Sequence, residues 1–337
     1  MVHKQDNKID FVVTWVDGND PEWFAEKQRY QHNETGYSTA VNRFRDWDLM
    51  RYWFRGVEKF APWVNNVYFI TCGHYPEWLN LEHPKLQFVK HSDYIPQECL
   101  PTYNSNVIEL HLHNISDLAE QFVLFNDDTF LINEVWKQDF FESGLPCDTV
   151  RMGTINSQNT EDLFPFTLLN NSAVLNKHFS KREVIKKHPG VFFSVKYGID
   201  NIRNALLVPF NHFSTFNDLH LPSPHLKSTF AEIWEKEPEF MKKCGTHRFR
   251  TKDDVNHWLM KAWRYCKGQV VPHSSKWGKC FAIGQDQGIA DAIKKQKYKA
   301  ICLNDSDPNL DFERHQKELI EAFEAILPDK CSFEKYN

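Results

Sequence analysis

Two adjacent carboxylates are the strongest chemical signal in the sequence. Asp127 and Asp128, preceded by Asn126, directly follow QFVLF (121–125), an apolar run typical of a buried strand. Paired carboxylates at a strand end can hold a divalent cation against phosphate oxygens. A turn whose aspartate side chains accept hydrogen bonds from the following backbone accounts for the same residues equally well. The pair alone therefore does not decide the function.

A carboxylate and an imidazole share one face of a predicted helix. Glu109 and His113 are four residues apart in the predicted helix 106–113. Such a pair suits acid and base chemistry, although an ordinary solvated pair is the commoner outcome.

Two arginines share a face of another predicted helix. Arg51 and Arg55 are four residues apart and could clamp a diphosphate through bidentate contacts. They could equally pair with Asp48 and Glu58, which lie three residues away along the helix.

Prolines surround a pair of histidines. Pro222 and Pro224 restrict the backbone between His220 and His225, and a stiff turn suits a positioned catalytic base. A lone histidine in a loop is nevertheless more often structural than catalytic.

A basic segment, His247-Arg248-Phe249-Arg250, precedes a predicted helix at 253–266. Two guanidinium groups near the positive end of a helix favour an anion, while surface basic residues give the ordinary explanation.

Alternating strands and helices must position these groups. IDFVVTWV (9–16) predicts a buried strand that opens into a loop at Asp17, and Pro21 after an N-capping aspartate predicts a helix over 22–31. Further elements are predicted as strands at 67–71, 86–90 and 121–125 and as a helix at 47–60. This alternation predicts an α/β fold with a central, mostly parallel, Rossmann-like or GT-A-like sheet. Ligands of such sheets bind at the carboxyl ends of the strands.

The second half of the chain has a mostly helical pattern. Helices are predicted at 181–187, 226–235, 253–266 and near 310–327, with short apolar runs at 269–271 and 300–303. No clear linker is present, so we predict a single catalytic domain over 1–337. Its parts are an α/β core in 1–155, a helical insertion at about 156–270 that carries His220 and Arg250, and a return to the core with a C-terminal helix in 271–337.

Composition excludes several classes of protein. The 40 basic and 45 acidic residues leave a net charge of −5, which argues against nucleic-acid binding. The eight cysteines include no CxxC pair, so no zinc knuckle is predicted and we expect reduced, mostly buried thiols. No apolar run approaches the roughly 20 residues that span a bilayer, and residues 1–6 lack the apolar core of a signal peptide. We therefore expect a cytoplasmic protein.

Four sequence blocks, taken in order, resemble the Stealth family of sugar-phosphate transferases. That family includes bacterial capsular polysaccharide phosphotransferases and the catalytic region of the eukaryotic N-acetylglucosamine-1-phosphotransferase. The blocks are IDFVVTWVDGND (9–20); RFRDWDLMRYWFRGVEKFAPWVNNVYFITCG (43–73), running on through LPTYNSNVIELHLH (100–113) to FNDD (125–128); HLPSPHLKSTFAEIWEKEPEF (220–240) with HRFR (247–250); and ICLND (301–305).

The resemblance implies roles for particular residues. The catalytic set is Glu109, Asp128, His220 and Arg250. The substrate-binding set is Trp15, Asp17, Gly18, Arg51, Arg55, Asn304 and Asp305. Asp127 and Asp128 are the expected ligands of Mg²⁺ or Mn²⁺.

The resemblance also implies a reaction. The expected donor is a UDP-sugar such as UDP-N-acetylglucosamine, whose sugar-1-phosphate passes to a hydroxyl of a glycan or lipid-linked glycan, with release of UMP, in capsular or surface polysaccharide synthesis. Peripheral association with a membrane-bound polysaccharide assembly complex, at the inner face of the membrane, is compatible with this role. We favour His220 over Glu109 as the base, because an imidazole with a pKa near its usual value of about 6.5 is a competent base at neutral pH.

Two other functions stay open at this point. A metal-dependent glycosyltransferase would use Asp127 and Asp128 as a DxD-like metal motif and would release UDP. A carbohydrate-binding assembly protein, built on the tryptophan-rich surface, would bind sugar without depending on metal or nucleotide.

Overall fold

A five-stranded sheet lies at the centre of the structure. The computed structural model describes residues 8–31, 44–157, 161–305, 307 and 309–335. Its strands are β1 (Ile9–Thr14), β2 (Val67–Thr71), β3 (Leu86–Lys90), β4 (Gln121–Phe125), β5 (Thr129–Leu131), β6 (Phe141–Glu142), β7 (Leu145–Asp148), β8 (Met152–Gly153), β9 (Thr215–Phe216), β10 (Ser223–Leu226), β11 (Val271–Pro272), β12 (Gly278–Ala282) and β13 (Ala300–Asn304).

Helices cover the sheet and are the commonest elements in the second half of the chain. They are α1 (Pro21–Tyr30), α2 (Met50–Phe60), α3 (Ser105–Leu110), α4 (Lys137–Phe140), α5 (Phe164–His178), α6 (Lys181–Lys187), α7 (Pro189–Phe192), α8 (Asp200–Leu207), α9 (Lys227–Lys236), α10 (Pro238–Gly245), α11 (Trp258–Lys267), α12 (Ile289–Lys294) and α13 (Phe312–Glu324). Among the described residues, no helix combines the length and the apolar character needed to cross a bilayer.

The central sheet has the order β10-β4-β1-β2-β3. Its β1, β2, β3 and β4 are mutually parallel, and β10 pairs with β4 in antiparallel orientation. The predicted α/β fold with a mostly parallel sheet is therefore confirmed. The predicted bounds of β2, β3 and β4 are confirmed as well, because each is a short apolar run closed by polar residues.

The strand order contains a topological switch point between β1 and β4. From β1 the chain adds β2 and β3 on one side, and then returns to add β4 on the other side of β1. Connections that leave β1 and β4 in opposite directions open a crevice at the carboxyl ends of these two strands, which is where open α/β sheets bind ligands.

Both faces of the sheet are buried, as parallel strands require. Side chains alternate along β1: Phe11 and Val13 pack with apolar residues of α2 and α13, whereas Val12 packs with those of α9 and α11. The sheet is thus fixed between two apolar layers, and its carboxyl edge is the part left open.

Some element bounds differ from the predictions for local reasons. Asp20 caps α1 as predicted, since its side chain accepts hydrogen bonds from two backbone N–H groups of the first turn. Helix α2 begins at Met50 rather than at 47, because Asp48 has a positive φ of 53° and its N–H donates to the Asp46 carboxylate at 2.8 Å. The residues after Leu221, predicted as a turn, form the edge strand β10.

The predicted helical insertion at about 156–270 contains α5 to α11, together with β9 and the edge strand β10 of the central sheet. The division of the chain into a single catalytic domain with this insertion stays a prediction.

The predicted role of Arg55 in substrate binding is corrected by its surroundings. Arg55 is buried, and its guanidinium donates to both carboxylate oxygens of buried Glu334, at 2.7 and 3.1 Å. A third contact reaches the Leu327 carbonyl at 2.9 Å. Every face of this side chain is used to join α2 to the C-terminal segment, so it is not available to a diphosphate. Arg51 stays half-buried beside Asp48, at 3.7 Å.

We expect Arg55→Ala to lower the free energy of unfolding by roughly 3 to 5 kcal/mol, because it leaves the Glu334 carboxylate buried without its partner. Arg51→Ala is the matched control and should cost less than about 1 kcal/mol, because its ion pair is partly exposed. Urea unfolding followed by tryptophan fluorescence measures both. Equal losses in the two variants would contradict the anchoring role.

Candidate functional site

A cleft opens at the switch point of the sheet. It is about 730 Å³ in volume including its mouth, a size that suits a small-molecule ligand. Several side chains predicted from the sequence line it, and the full lining includes Trp15, Arg45, Asp46, Trp47, Met50, Asp127, Asp128, Phe130, Asn304 and Asp305.

The antiparallel pairing of β10 with β4 carries His220 to this cleft. Ser223 lies opposite Leu124 in the register, so the residues before Ser223 run alongside those that follow β4. The Nε2 atom of His220 lies 3.8 Å from Oδ2 of Asp128 and 3.5 Å from Nδ2 of Asn126. The edge strand therefore unites two motifs that are more than 90 residues apart.

The backbone of His220 is held in an unusual conformation. Its φ is 51°, a region that favours glycine, and its N–H donates to the Asp218 carboxylate at 2.7 Å. Asp218 in turn pairs with buried Lys261, which also lies 3.2 Å from Asp148. The buried ion pairs of Lys261 with Asp218 and Asp148 therefore hold the backbone of His220, and with it the imidazole, at the edge of the cleft.

A second antiparallel pairing brings the fourth predicted block into the cleft. Cys302 of β13 lies opposite Thr129 of β5, and the N–H of Leu303 donates to the Asp128 carbonyl at 2.8 Å. Asn304 and Asp305 then follow into the cleft, where Asp305 accepts a hydrogen bond from Arg45 at 3.0 Å.

Glu109 does not line the cleft but lies within electrostatic reach of Arg250, His220 and Asp127. Glu109 is buried near the end of α3, with Oε2 3.9 Å from Nε2 of His257. The Nη2 atom of Arg250 donates to the Ser105 hydroxyl at 2.7 Å. The Arg250 and His220 charges both act on the ionisation of Glu109, which places these three groups in one electrostatic environment.

Burial and charge crowding shift the ionisation of the two acids. Burial raises the pKa of Glu109 to about 7, against the opposing effect of Arg250. Burial also raises the pKa of Asp127 to about 7, and the neighbouring Asp128 and Asp46 carboxylates add to the shift. Both groups therefore titrate near neutral pH, as functional acids and bases often do.

The imidazole of His220 does not have the ordinary pKa assumed in the sequence analysis. Burial alone would lower its pKa, but the Asp128 carboxylate and the Cys280 thiol outweigh burial and raise the pKa to about 9. At neutral pH His220 is then a cation, which suits it to charge stabilisation rather than to proton abstraction.

The carboxylate pair fits a divalent cation. Oδ1 of Asp128 is buried without a hydrogen-bond partner, and the adjacent Asp127 carboxylate is raised in pKa partly by repulsion from Asp128. A divalent ion would satisfy the free oxygen and remove this repulsion, and carboxylate oxygens suit Mg²⁺ and Mn²⁺.

Trp15 and Val16 of the first block line the cleft, whereas the predicted Asp17 and Gly18 are next in the chain and do not line it. Trp15 directly follows β1 and stacks on Phe69, with ring centroids 5.6 Å apart. The N–H of Asp17 donates to Nε2 of His74 at 2.9 Å. At Gly18 an added Cβ would lie 1.7 Å from the Phe44 carbonyl oxygen, so only glycine permits this approach of two loops.

Two predicted motifs do not reach the site as expected. Helix α3 ends at Leu110, so His113 leaves the face of Glu109 and lies between Phe230 and Trp234. The predicted acid and base pair of Glu109 with His113 is therefore wrong.

The basic segment 247–250 does not lie at a helix N-terminus. Helix α11 begins at Trp258. The side chain of Asp254 makes hydrogen bonds to the side chains of Asn104 and His247, and these bonds keep residues before Trp258 in a loop. Arg248 donates to the Pro101 carbonyl at 2.9 Å, whereas the charge of Arg250 acts on the ionisation of Glu109.

Sequence reasoning missed polar residues of the cleft and a thiol beside it. Arg45 and Asp46 lie in the second sequence block but had no distinctive spacing. Cys280 lies opposite Cys302 on β12 and β13, and together with His220 the two thiols form a compact cluster. Only the strand pairing reveals this cluster, because the three residues are far apart in the chain.

Comparison with known proteins gives a consistent result. Residues 7–35 match the model of Stealth protein CR1, conserved region 1, and residues 43–147 match that of Stealth protein CR2, conserved region 2. The chain is 43% identical over 336 residues to the capsular polysaccharide phosphotransferase WcwK of Streptococcus pneumoniae, covering 98% of this chain and 99% of that protein.

Two further relatives extend over nearly the whole chain. The exopolysaccharide phosphotransferase cps2G of Lactiplantibacillus plantarum is 37% identical over 329 residues, covering 97% of this chain and 96% of the relative. The receptor polysaccharide phosphotransferase WefC of Streptococcus oralis is 38% identical over 344 residues, covering 97% and 99%.

We expect Glu109→Gln to stabilise the fold at high pH while leaving it unchanged at low pH. A carboxyl whose folded pKa is raised to about 7 binds its proton more tightly in the folded state, so the wild type loses stability as the pH rises towards 7 and stays at that lower level above it. Glutamine removes this penalty, a gain of roughly 1 to 3 kcal/mol at pH 8.

Urea unfolding at pH 4 and at pH 8 measures this effect, with Glu98→Gln on the exposed surface as the matched control. Loss of stability at pH 8 in Glu109→Gln would mean that Arg250 fully compensates the buried charge, and would contradict the raised pKa.

Proposed function

Because the chain belongs to the Stealth family and is a transferase of phosphate-containing groups, we propose that it transfers hexose-1-phosphate, such as N-acetylglucosamine-1-phosphate, from a UDP-sugar to a hydroxyl of a glycan acceptor and releases UMP. The names of its relatives support a place in capsular or surface polysaccharide synthesis. One observation carries the proposal: at the switch point of the sheet His220 lies 3.8 Å from Asp128, and Glu109 lies within electrostatic reach of His220, Arg250 and Asp127.

The donor would lie in the cleft at the ends of β1 and β4. Its aromatic and polar lining, which includes Trp15 and Asn304, offers stacking and hydrogen-bonding groups for a nucleotide. The acidic surface of the cleft requires positive charge before a diphosphate can bind, because like charges repel.

Asp127 and Asp128 are the residues that would hold Mg²⁺ or Mn²⁺. When bound, such an ion supplies positive charge to the diphosphate oxygens and orients them. Arg250 adds a fixed positive charge on the side of Glu109, and His220 adds a second at neutral pH.

The transfer forms one bond and breaks one. The acceptor hydroxyl oxygen attacks the phosphorus that carries the sugar, and the bond from this phosphorus to the oxygen bridging to the uridine phosphate breaks. The bonding electrons leave with UMP, and the hydroxyl proton passes to the protein. The bond between the sugar C1 and its oxygen is not touched, so the product is a phosphodiester.

The ionisation of the two candidates favours Glu109 as the proton acceptor. Glu109 has a pKa of about 7, so its carboxylate form is available at neutral pH, whereas His220, with a pKa of about 9, is already protonated. His220 and Arg250 then stabilise the charge that develops on the phosphoryl oxygens. This assignment reverses the preference drawn from the sequence.

The acceptor class follows from the proposed role in polysaccharide assembly. Such acceptors include glycans linked to membrane lipids, so we propose that the protein works in the cytoplasm, at the inner face of the membrane beside an assembly complex.

The test is to incubate the purified protein with a panel of UDP-sugars and oligosaccharide acceptors, and to separate UMP from UDP by chromatography. Transfer at phosphorus gives UMP and a new phosphodiester signal in the ³¹P spectrum of the acceptor. Transfer at C1 gives UDP and a product without phosphorus, and would replace the proposal with a glycosyltransferase. Sugar binding without turnover would indicate the carbohydrate-binding alternative.

The same assay tests the residues. Glu109→Gln and His220→Ala should each lower the rate of UMP formation by at least about 100-fold, the range expected for lost acid, base or charge stabilisation. His315→Ala on α13 is the matched control and should keep the wild-type rate, because it lies on a helix outside the cleft. Full activity in Glu109→Gln would remove this residue from the mechanism.

A further inference from the structure

Helix α8 presents its apolar side to solvent and its polar side to the protein. Asn204 is fully buried and donates hydrogen bonds to the carbonyls of Val150 and Phe192, at 2.9 and 2.7 Å. Asp200 on the same side pairs with Arg151 at 3.0 Å. An ordinary surface helix has the opposite arrangement, so the polar contacts hold α8 with its apolar side outward.

The outward side continues beyond the helix as an apolar ridge. Ile199, Ile202 and Leu206 follow the spacing of one helical face, and residues before and after α8 extend it. The apolar ridge consists of Val195, Ile199, Ile202, Leu206 and Phe210, which are 97%, 80%, 61%, 70% and 63% exposed. Exposed apolar groups of this size in one short segment mark an interaction surface.

The segment that carries the ridge is basic in an acidic protein. Residues 179–212 contain six lysines and arginines against two acidic residues, a net charge of +4 where the whole chain has −5. Lys196 and Arg203 are exposed beside the ridge residues Val195 and Ile202. Long basic side chains next to apolar ones suit a bilayer with anionic lipids, because the apolar groups enter the interface while the charges meet the headgroups.

We propose that the apolar ridge docks the protein onto the surface of an anionic lipid bilayer. This proposal deepens the proposed function, since it would bring the cleft to acceptors held at the membrane. The ridge also lies close in sequence to the site, because only nine residues separate Phe210 from His220.

Sedimentation with vesicles tests the docking without donor or acceptor, so a failure of the proposed transfer would not affect the result. The wild type should bind vesicles of equal parts phosphatidylcholine and phosphatidylglycerol. The triple variant Ile199→Ser/Ile202→Ser/Leu206→Ser should bind at least about tenfold more weakly, because it removes apolar groups that enter the interface. Lys196→Gln and Arg203→Gln should each weaken binding about fivefold at low salt.

A double variant, Trp136→Ser/Leu169→Ser, is the matched control, since both side chains are comparably exposed on other parts of the surface. It should bind like the wild type. Absence of vesicle binding by the wild type, or equal binding by the ridge variant, would overturn the proposal. So would dimerisation in solution that the ridge variant abolishes, because the ridge would then be an interface between two copies.

A different observation concerns the thiols beside the cleft. Cys280 and Cys302 lie opposite each other on the parallel strands β12 and β13, and the ligand atoms of Cys280, Cys302 and His220 all lie within 4.8 Å of one another. Oδ2 of Asp128 lies 3.4 Å from the Cys302 sulfur, and Oδ1 is buried without a partner. Two sulfurs, one imidazole and one carboxylate are a donor set typical of tetrahedral zinc.

We infer that Cys280, Cys302 and His220, with Asp128 as a fourth donor, form a site for a soft divalent metal such as Zn²⁺. Thiolates select soft metals, so this site differs in chemistry from the carboxylate pair expected for Mg²⁺ or Mn²⁺. Given the proposed function, an ion held there would engage His220 and Asp128 together and would inhibit the transfer.

Cobalt titration tests this site directly, because Co²⁺ bound to thiolates gives an intense charge-transfer band. We expect one Co²⁺ per chain, displaced by Zn²⁺, and affinity at least about 100-fold lower in Cys280→Ser and in Cys302→Ser. Cys72→Ser is the matched control, since Cys72 is exposed and has its own histidine neighbour, His74, at 3.6 Å.

A thiolate band that survives in both Cys280→Ser and Cys302→Ser, or that disappears in Cys72→Ser, would overturn the assignment. Lack of any band at one equivalent of Co²⁺ would do the same. The band is read without substrate, so it distinguishes failure of this site from failure of the proposed transfer.

Discussion

The pairing of β10 with β4 is the contact on which the candidate site depends. Because Ser223 lies opposite Leu124, His220 comes within 3.8 Å of Asp128. A shift of two residues along the strand would move His220 by about 7 Å, out of reach of the carboxylate. The outer edge of β10 cannot readily pair with another strand. Pro224 has no N–H to donate, and buried Arg264 of α11 donates to the Pro224 carbonyl at 2.9 Å.

Buried charge is the second organising feature, and it follows from the first. The pairing of β10 with β4 brings the protonated imidazole of His220 to the adjacent carboxylates of Asp127 and Asp128. Without this positive charge the two carboxylates would repel each other in surroundings that hold little water. At Glu109, burial raises the pKa of the carboxyl group and the positive charge of Arg250 opposes that rise. Glu109 and Asp127 therefore both change protonation near neutral pH. Binding of a charged ligand would shift the pKa values of both groups together.

Local pattern was sufficient for the strands and for the polar residues at their ends. Short apolar runs closed by polar residues predicted β2, β3 and β4 correctly, and the cleft lies at the strand ends where the polar residues were expected. Spacing within a helix was not sufficient to predict the role of Arg55. A four-residue spacing shows that Arg51 and Arg55 share a helix face, but not that the side chain of Arg55 is buried in the protein.

Contacts between distant segments were beyond sequence reasoning. The thiol of Cys280 meets His220 only because β12 pairs with β13 and β13 pairs with β5, and no local signal encodes those choices. The ionisation of His220 could not be predicted for the same reason, because its pKa depends on Asp128 and Cys280, which are neighbours in space alone.

The salt bridge between Arg55 and Glu334 has a consequence for synthesis of the protein on the ribosome. These residues are 279 positions apart, so Glu334 is synthesised 279 residues after Arg55. Until then α2 carries a guanidinium without its buried partner, so the layer of the core that it covers cannot close. The part of the core that α2 covers is therefore completed late in synthesis, once Glu334 is available to pair with Arg55.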